Sequence, residues 1–241
     1  MGIEWFGERR VVRATNPAWQ KWKPSDPTSA HWYQPEHLAR LIGAYLAHDQ
    51  DNGRIRTVRE LIPEFRGLSG TAKQKAVLNA TGLSREPLSA FVNGSAIDMA
   101  KVNSLLAAMQ AHSRPAKPED LGIIGGEHFK RCFENAGADP ETFAYRKVLE
   151  VSKGLPAVIE TAFGYCPDRE DGGTGRSLIT GVNWSPGLVN PFRQLGGYGR
   201  SLDSLLTAQR ASADEPVILA LHVAQPRVQY LDRGKSAVET E

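Results

Sequence analysis

The sequence predicts an α+β protein, with a helical N-terminal half and an α/β C-terminal half. Three observations predict it. Between residues 36 and 112 apolar residues recur at helical spacing, broken by short glycine turns. From about Phe143 the period changes to that of strands. Near the C-terminus an apolar run, residues 217–223, is rich in β-branched residues and flanked by Pro216 and Pro226, the pattern of a strand buried on both faces.

Composition sets the bounds. The chain has 241 residues, 41% hydrophobic and 23% charged, which is ordinary globular composition with room for two modest domains. A net charge of +2 gives no global field toward nucleic acid, so any basic patch must be local. The two cysteines, Cys132 and Cys166, stand far apart with no CxxC pattern. They suit a reducing compartment and cannot form a zinc site alone. The histidines are scattered, and no metal site is expected. No stretch approaches the roughly 20 apolar residues of a membrane span, and the N-terminus lacks a signal-peptide core.

Residues 1–30 read as an N-terminal arm, charged and aromatic, like part of a domain begun elsewhere. Arg9, Arg10, Arg13, Lys21 and Lys23 interleave with Trp5, Trp19 and Trp22. Such a stretch can bind a phosphate backbone with stacking help. It can equally be an extended arm whose tryptophans pack on a neighbouring domain, the reading favoured by so aromatic a segment.

Residues 31–115 read as a helical domain. Pro35 opens a helix with Leu38, Leu41, Ile42, Tyr45 and Leu46 on one face. Asp51, Asn52 and Gly53 stop it. Thr57 caps a short helix carrying Val58, Leu61, Ile62 and Phe65. After a turn at residues 66–70, Thr71 opens a helix with Ala72, Ala76, Val77 and Ala80, closed by Gly82. Residues 84–87 start another short helix that ends near Gly94. A last helix, 97–111, presents Met99, Val102, Leu105, Leu106 and Met109, the methionines as core filler.

Basic residues cluster at the ends of these elements: Arg54, Arg56, Arg59, Arg66, Lys73 and Lys75. Backbone N–H groups entering a helix beside cations suit a phosphate oxygen. Residues 69–73 fit that description, without the Gly-Lys-Ser/Thr ending of a Walker A loop. A capped helix with a solvated face fits the same spacing.

Residues 116–142 read as a linker and a connecting helix. The α/β domain follows, 143–241. Residues 145–151 are a candidate edge strand. Residues 156–165 alternate, with Val158, Glu160, Ala162 and Gly164 on one side. Residues 168–175 read as a hairpin loop leading to a partner strand, 177–184. Ser201 caps a helix, 202–210, with Leu202, Leu205 and Leu206 inward, and the buried strand 217–223 follows. The chain ends in a basic turn, Asp232, Arg233, Gly234 and Lys235. A rigid strand that delivers a lysine on a glycine-flexed loop can aim one positive charge, although most lysines in such a place are simply solvated.

In their order along the chain these stretches resemble the GHKL ATPase polypeptide of the type IIB DNA topoisomerases, topoisomerase VI and its bacterial relatives. His31 and Trp32 leading into the helix 36–46, and the turn from Arg66 to Ala72, resemble that family's helix-two-turns-helix domain. Lys117 to Leu121, then Ile123, Ile124 and Gly125, is similar to its interdomain junction. Residues 155–165 are similar to the first long strand of its transducer domain. His222, Val223, Ala224, Val228, Gly234 and Lys235 are similar to the strand and loop carrying the transducer's switch lysine.

The resemblance implies a helix-two-turns-helix-like domain followed by a transducer of the ribosomal protein S5 domain 2-like type, incomplete at its C-terminus. Lys235, assisted by Arg233, would sense the γ-phosphate of ATP. Arg54, Arg56, Arg66, Ser69, Thr71, Lys73 and Lys75 would contact DNA. ATP and Mg²⁺ would be held by a GHKL domain whose motifs this sequence lacks, supplied in cis or in trans. The other implied partner is the DNA-cleaving polypeptide of topoisomerase VI or a protein like it, in a homodimeric assembly at the nucleoid in the cytoplasm. No complete catalytic site is expected in the chain itself. The segment 181–199 departs from the family pattern. The expected alternatives are a stand-alone DNA-binding module or a truncated remnant without ATPase activity.

Overall fold

The computed structural model describes residues 2–5, 8–11, 14–23, 25–94, 96–152, 154–167, 173–187, 189–195, 200–234 and 236–239. The chain divides into two compact units. One is residues 23–117 together with a short second segment, 152–155. The other is assembled from three stretches, residues 1–22, 118–151 and 156–241. At the N-terminus β1 (Gly2–Trp5) pairs antiparallel with β2 (Glu8–Val11).

The first unit is helical. Pro35 sits at the start of α1 (Pro35–Asp51), where a missing N–H costs no helical bond. Leu38 and Ile42 are fully buried, and Leu41, Tyr45 and Leu46 pack on the same core. Thr57 and Glu60 form a reciprocal capping box on α2 (Val58–Leu61). The Thr57 N–H donates to Glu60 at 2.7 Å, and the Glu60 N–H donates to Thr57 Oγ1 at 3.3 Å.

The helix α3 (Thr71–Thr81) starts from Gly70 and ends at Gly82, whose φ of 70° is the left-handed cap favoured by glycine. Its inward residues are Val77 and Leu78, with Ala72 and Ala80 exposed. The stretch expected to be a short helix ending near Gly94 is instead a 3₁₀ turn, Leu88–Phe91, followed by a two-residue hairpin. Its strands are β3 (Val92–Asn93) and β4 (Ala96–Ile97). Asp98 caps α4 (Met99–Ala111), accepting bonds from the N–H groups of Ala100 and Lys101. Val102, Leu105, Leu106 and Met109 of α4 are buried, while Met99 is exposed at the first position.

The second unit is built on a five-stranded sheet in the order β5-β6-β9-β7-β8. Its strands are β5 (Ala144–Ser152), β6 (Leu155–Tyr165), β7 (Ser177–Val182), β8 (Ser185–Pro186) and β9 (Val217–Ala224). The sheet corrects one expectation. β7 does not pair with β6 across a hairpin; it runs parallel to β9, and β9 runs antiparallel to β6. A strand apolar on both faces takes the centre of the sheet and needs a neighbour on each side. A parallel neighbour in turn requires a crossover. The helix α6 (Leu202–Ala208), capped by Ser201, lies in that crossover. Leu202 and Leu206 line a hollow with Leu219 and Leu221 of β9, whereas Leu205 is exposed. Residues 168–172 of the expected hairpin loop lie outside the described residues.

The helix α5 (Gly126–Asn135) covers the opposite face. Phe129 and Phe133 pack with Ala162, Ile218 and Ala220. A methyl group at Gly164 would stand 2.9 Å from the Phe133 ring, so the glycine makes room for that packing. Residues 14–22 belong to this unit as well. The Trp22 N–H donates to Leu121 O at 3.0 Å, and the Trp19 indole donates to Ile123 O at 2.5 Å. Among the described residues no helix is long and apolar enough to cross a membrane.

Candidate functional site

The basic residues of the helical unit fall into two groups. Arg54 and Arg56 belong to the segment before α2. Arg54 is exposed and pairs with Glu60 at 2.9 Å. Bonds from Thr57, reinforced by Arg54, bring the Glu60 carboxyl down to about 2. Arg56 is turned inward instead: its side chain is 10% exposed. Its Nε stands 3.2 Å from Asp49 Oδ2, an ion-pair contact, and its terminal nitrogens donate to Asp49 and Glu64 at 3.4 Å. The guanidinium also stacks on the Tyr45 ring at 3.9 Å. The Tyr45 hydroxyl donates to Glu64 and is pushed up to about 12, by burial first and by that carboxylate second. These contacts commit the Arg56 charge to the fold.

Ser69, Thr71, Lys73 and Lys75 gather at the start of α3 and are exposed. Lys73 Nζ donates to Gly67 O at 2.8 Å, and Gln74 donates to Ser69 O at 2.8 Å. Both bonds shape the turn from within. Gly70 gives the helix no side-chain cap, so the positive end of α3 opens among cations, as anion binding requires. Arg66 is half-buried, and its N–H donates to Thr28 O at 2.7 Å.

The C-terminal turn is held at both ends. Tyr230 bridges to Val238, and the Leu231 N–H donates to Ala237 O at 2.9 Å. The Asp232 carboxylate accepts from Ser236 Oγ at 2.6 Å and from the Ser236 N–H at 3.0 Å, which lowers its pKa. Arg193 donates to Ser236 O at 2.9 Å, tying the turn to the segment before α6. Arg233 is exposed. Lys235 lies outside the described residues.

A polar centre that sequence reading did not single out lies inside the sheet. Glu160 of β6 and His222 of β9 are directly opposite in register, and both are buried. His222 Nδ1 stands 3.0 Å from Glu160 Oε2. The Trp184 N–H donates to His222 Nε2 at 3.1 Å, so Nε2 accepts and Nδ1 carries the proton that it gives Glu160. Glu160 also accepts from the Ile124 N–H at 3.0 Å, the Gly125 N–H at 2.8 Å and the Tyr145 hydroxyl at 2.8 Å. Burial pushes this carboxyl up. The bonds from His222, Gly125, Ile124 and Tyr145 together outweigh it and bring the carboxyl to about 2. The Tyr145 hydroxyl is raised, by burial first and by Glu160 second.

The turn that offers the Trp184 N–H is itself unusual. Asn183 and Trp184 have φ of 48° and 64°, left-handed conformations that non-glycine residues rarely adopt. They join β7 to β8 in the pattern of a two-residue hairpin with both central residues left-handed. Asn183 steadies it: its N–H donates to Val223 O, and its side chain accepts from the Gln225 N–H, both at 2.9 Å.

Glu160 reaches three places at once: the start of α5, the edge strand β5 and, through His222, the Trp184 turn. The sequence signals for it were a carboxylate sharing one side of an alternating strand with Val158, Ala162 and Gly164, and a histidine within an apolar run. Glu160 is fully buried and His222 lines an adjoining cleft, so the pair organises the walls of that cleft. No protein-family model matches the chain, and no curated protein matches it.

Proposed function

We propose that the chain is the coupling segment of a protein like the topoisomerase VI ATPase polypeptide, with its helical unit as the helix-two-turns-helix-like domain and its α/β unit as the transducer. The observation that carries this reading is the path of β9. It is the central strand of the sheet, and it leads into a turn, 230–238, fixed by the Asp232–Ser236 bonds and by Arg193. Arg233 belongs to that turn; Lys235, which follows Gly234 in sequence, lies outside the described residues. A central strand followed, after residues 225–229, by a braced basic turn suits a cation that must meet phosphate charge held elsewhere.

The nucleotide and its Mg²⁺ would be bound by a GHKL domain in cis or in trans. Among the described residues no group of three His, Cys, Asp or Glu side chains is placed to hold a metal ion. The chain would supply the sensing cations. A partner like the DNA-cleaving polypeptide of topoisomerase VI would cut the duplex.

The test places Lys235→Ala in a complete ATPase polypeptide, assayed together with its DNA-cleaving partner. ATP-driven strand passage is expected to slow, with nucleotide binding mostly retained. Unchanged coupling would remove the assignment.

The exposed start of α3 supports a second reading, a DNA-binding module that works without a motor. Ser69, Thr71, Lys73 and Lys75 would then carry the affinity, with Arg66 beside them. Replacing Lys75 by alanine should reduce the salt slope of duplex binding by about 1. No duplex binding at low salt would exclude it.

A further inference from the structure

Two cavities meet on the α5 side of the sheet. The inner one, about 260 Å³, lies between α5, β7 and β9 and is lined by apolar groups, among them Phe129, Phe133, Ile179, Pro186 and Leu221. The outer one, about 430 Å³, is rimmed by Thr15, Asn16, Lys21 and Glu127. They share Ile124, His128 and Trp184 as lining residues. Together they have the size and the mixed character of small-molecule sites, a mostly apolar interior with a few convergent polar groups.

The polar groups at the junction are ordered. His128 is held from both sides, with Thr15 Oγ1 2.9 Å from Nδ1 and Cys132 Sγ 3.5 Å from Nε2. Lys21 Nζ stands 5.4 Å from the centre of the Trp184 ring, and Trp19 meets the same ring edge-on at 6.3 Å. The position of Trp184 is set by the His222 bond and by its left-handed turn. Ile179, 48% exposed, leaves apolar surface open at the inner cavity.

We propose that this double cleft binds a small planar apolar molecule carrying a single negative charge. The ring system fills the inner cavity against Phe129, Ile179 and Trp184, and the anionic group meets Lys21 in the outer one. Glu127 lines the same outer cavity and repels further negative charge. The cleft therefore favours a monoanion, such as an aromatic carboxylate or sulfonate, over a nucleotide polyphosphate. Partial burial keeps the Cys132 thiol protonated by raising its pKa, so the inner wall adds no charge.

The full chain is titrated with 8-anilinonaphthalene-1-sulfonate, read by its fluorescence, while Cys132 is alkylated with N-ethylmaleimide and followed by mass spectrometry. One probe per chain is expected, and saturating probe should slow Cys132 alkylation about tenfold or more. Cys166 is buried and should stay unmodified throughout. Ile179→Glu should weaken the probe at least about tenfold by placing a charge in the apolar wall. Lys21→Gln, at an exposed position, should weaken it about fivefold. Probe bound at several sites with Cys132 alkylation unchanged would overturn the proposal. So would affinity insensitive to both substitutions. Lys21→Gln and the alkylation protection decide the matter even if Ile179→Glu does not fold.

Discussion

In the helical unit the buried carboxylate of Asp49 is met by a permanent cation, Arg56, which Glu64 and the Tyr45 ring also hold. In the α/β unit the buried carboxylate of Glu160 is met by neutral donors: two backbone N–H groups, a phenol and an imidazole N–H. Both arrangements satisfy a charge away from water, but they place different demands on the fold. The ion pair needs one partner brought close. The neutral cage needs four donors delivered from the junction before α5, from β5 and from β9. The first is a local clasp between α1 and the segment before α2. The second exists only once β5, β6, β9 and the junction before α5 have come together.

The largest effect is expected from emptying the neutral cage. Glu160→Leu leaves four donors without their acceptor and should cost about 3–5 kcal/mol in urea unfolding. Glu160→Gln keeps much of the shape but removes the charge, and it isolates the pH response. The folded carboxyl titrates near 2 rather than 4.5, so between those values the unfolded chain binds the proton more readily. The stability it contributes is complete above pH about 4.5 and is lost as pH falls toward 2, in total about 3 kcal/mol. Glu160→Gln should flatten that part of the stability–pH curve. An unchanged slope would show that the cage does not hold an ionised carboxylate.

Arg56→Met comes next. It strands Asp49, whose side chain is 5% exposed, and should cost about 3 kcal/mol. Arg56→Lys restores the charge but not the planar stacking on Tyr45 and should recover only part of it. Full recovery with lysine would show that charge alone matters. The smallest effect belongs to the capping box on α2, where Thr57→Ala should cost about 1 kcal/mol. Because the box is local, that cost should appear in melting of the helical unit and leave Cys132 alkylation in the other unit unchanged.

What could be read from the chain follows the same division between local and assembled features. The Thr57 cap, the apolar face of α1 and the alternation of β6 depend on neighbours within a few residues, and each was legible; Glu60, the other half of the capping box, was not singled out. The partners of β7 and β9 were not, because strand choice is settled by sequence-distant burial and not by the strand's own pattern. Asn93 and Gly94 read as a turn signal, but Asn93 is the last residue of β3, and the paired strands are two residues long and too short to announce themselves. The alternation grouped Glu160 with Val158, Ala162 and Gly164, but it did not say which side of the strand is buried. That it faces His222 follows only from the β6–β9 register. The Trp184 turn has no glycine to mark its left-handed backbone; Asn183, which tolerates that conformation, is its one local signal.

The α/β unit includes residues 1–22 as well as everything after residue 117 apart from 152–155. During synthesis this order has a temporal meaning. Residues 14–22 leave the ribosome long before Leu121, Ile123 and Trp184, the groups on which they settle. At about 5–20 residues per second, the tryptophans of that segment wait seconds for their binding surface. Residues 23–117 are nearly sufficient for their own core and can fold in that interval. The nascent chain can thus carry a folded helical unit together with an aromatic segment still seeking its place, and that interval is when a chaperone has most to protect.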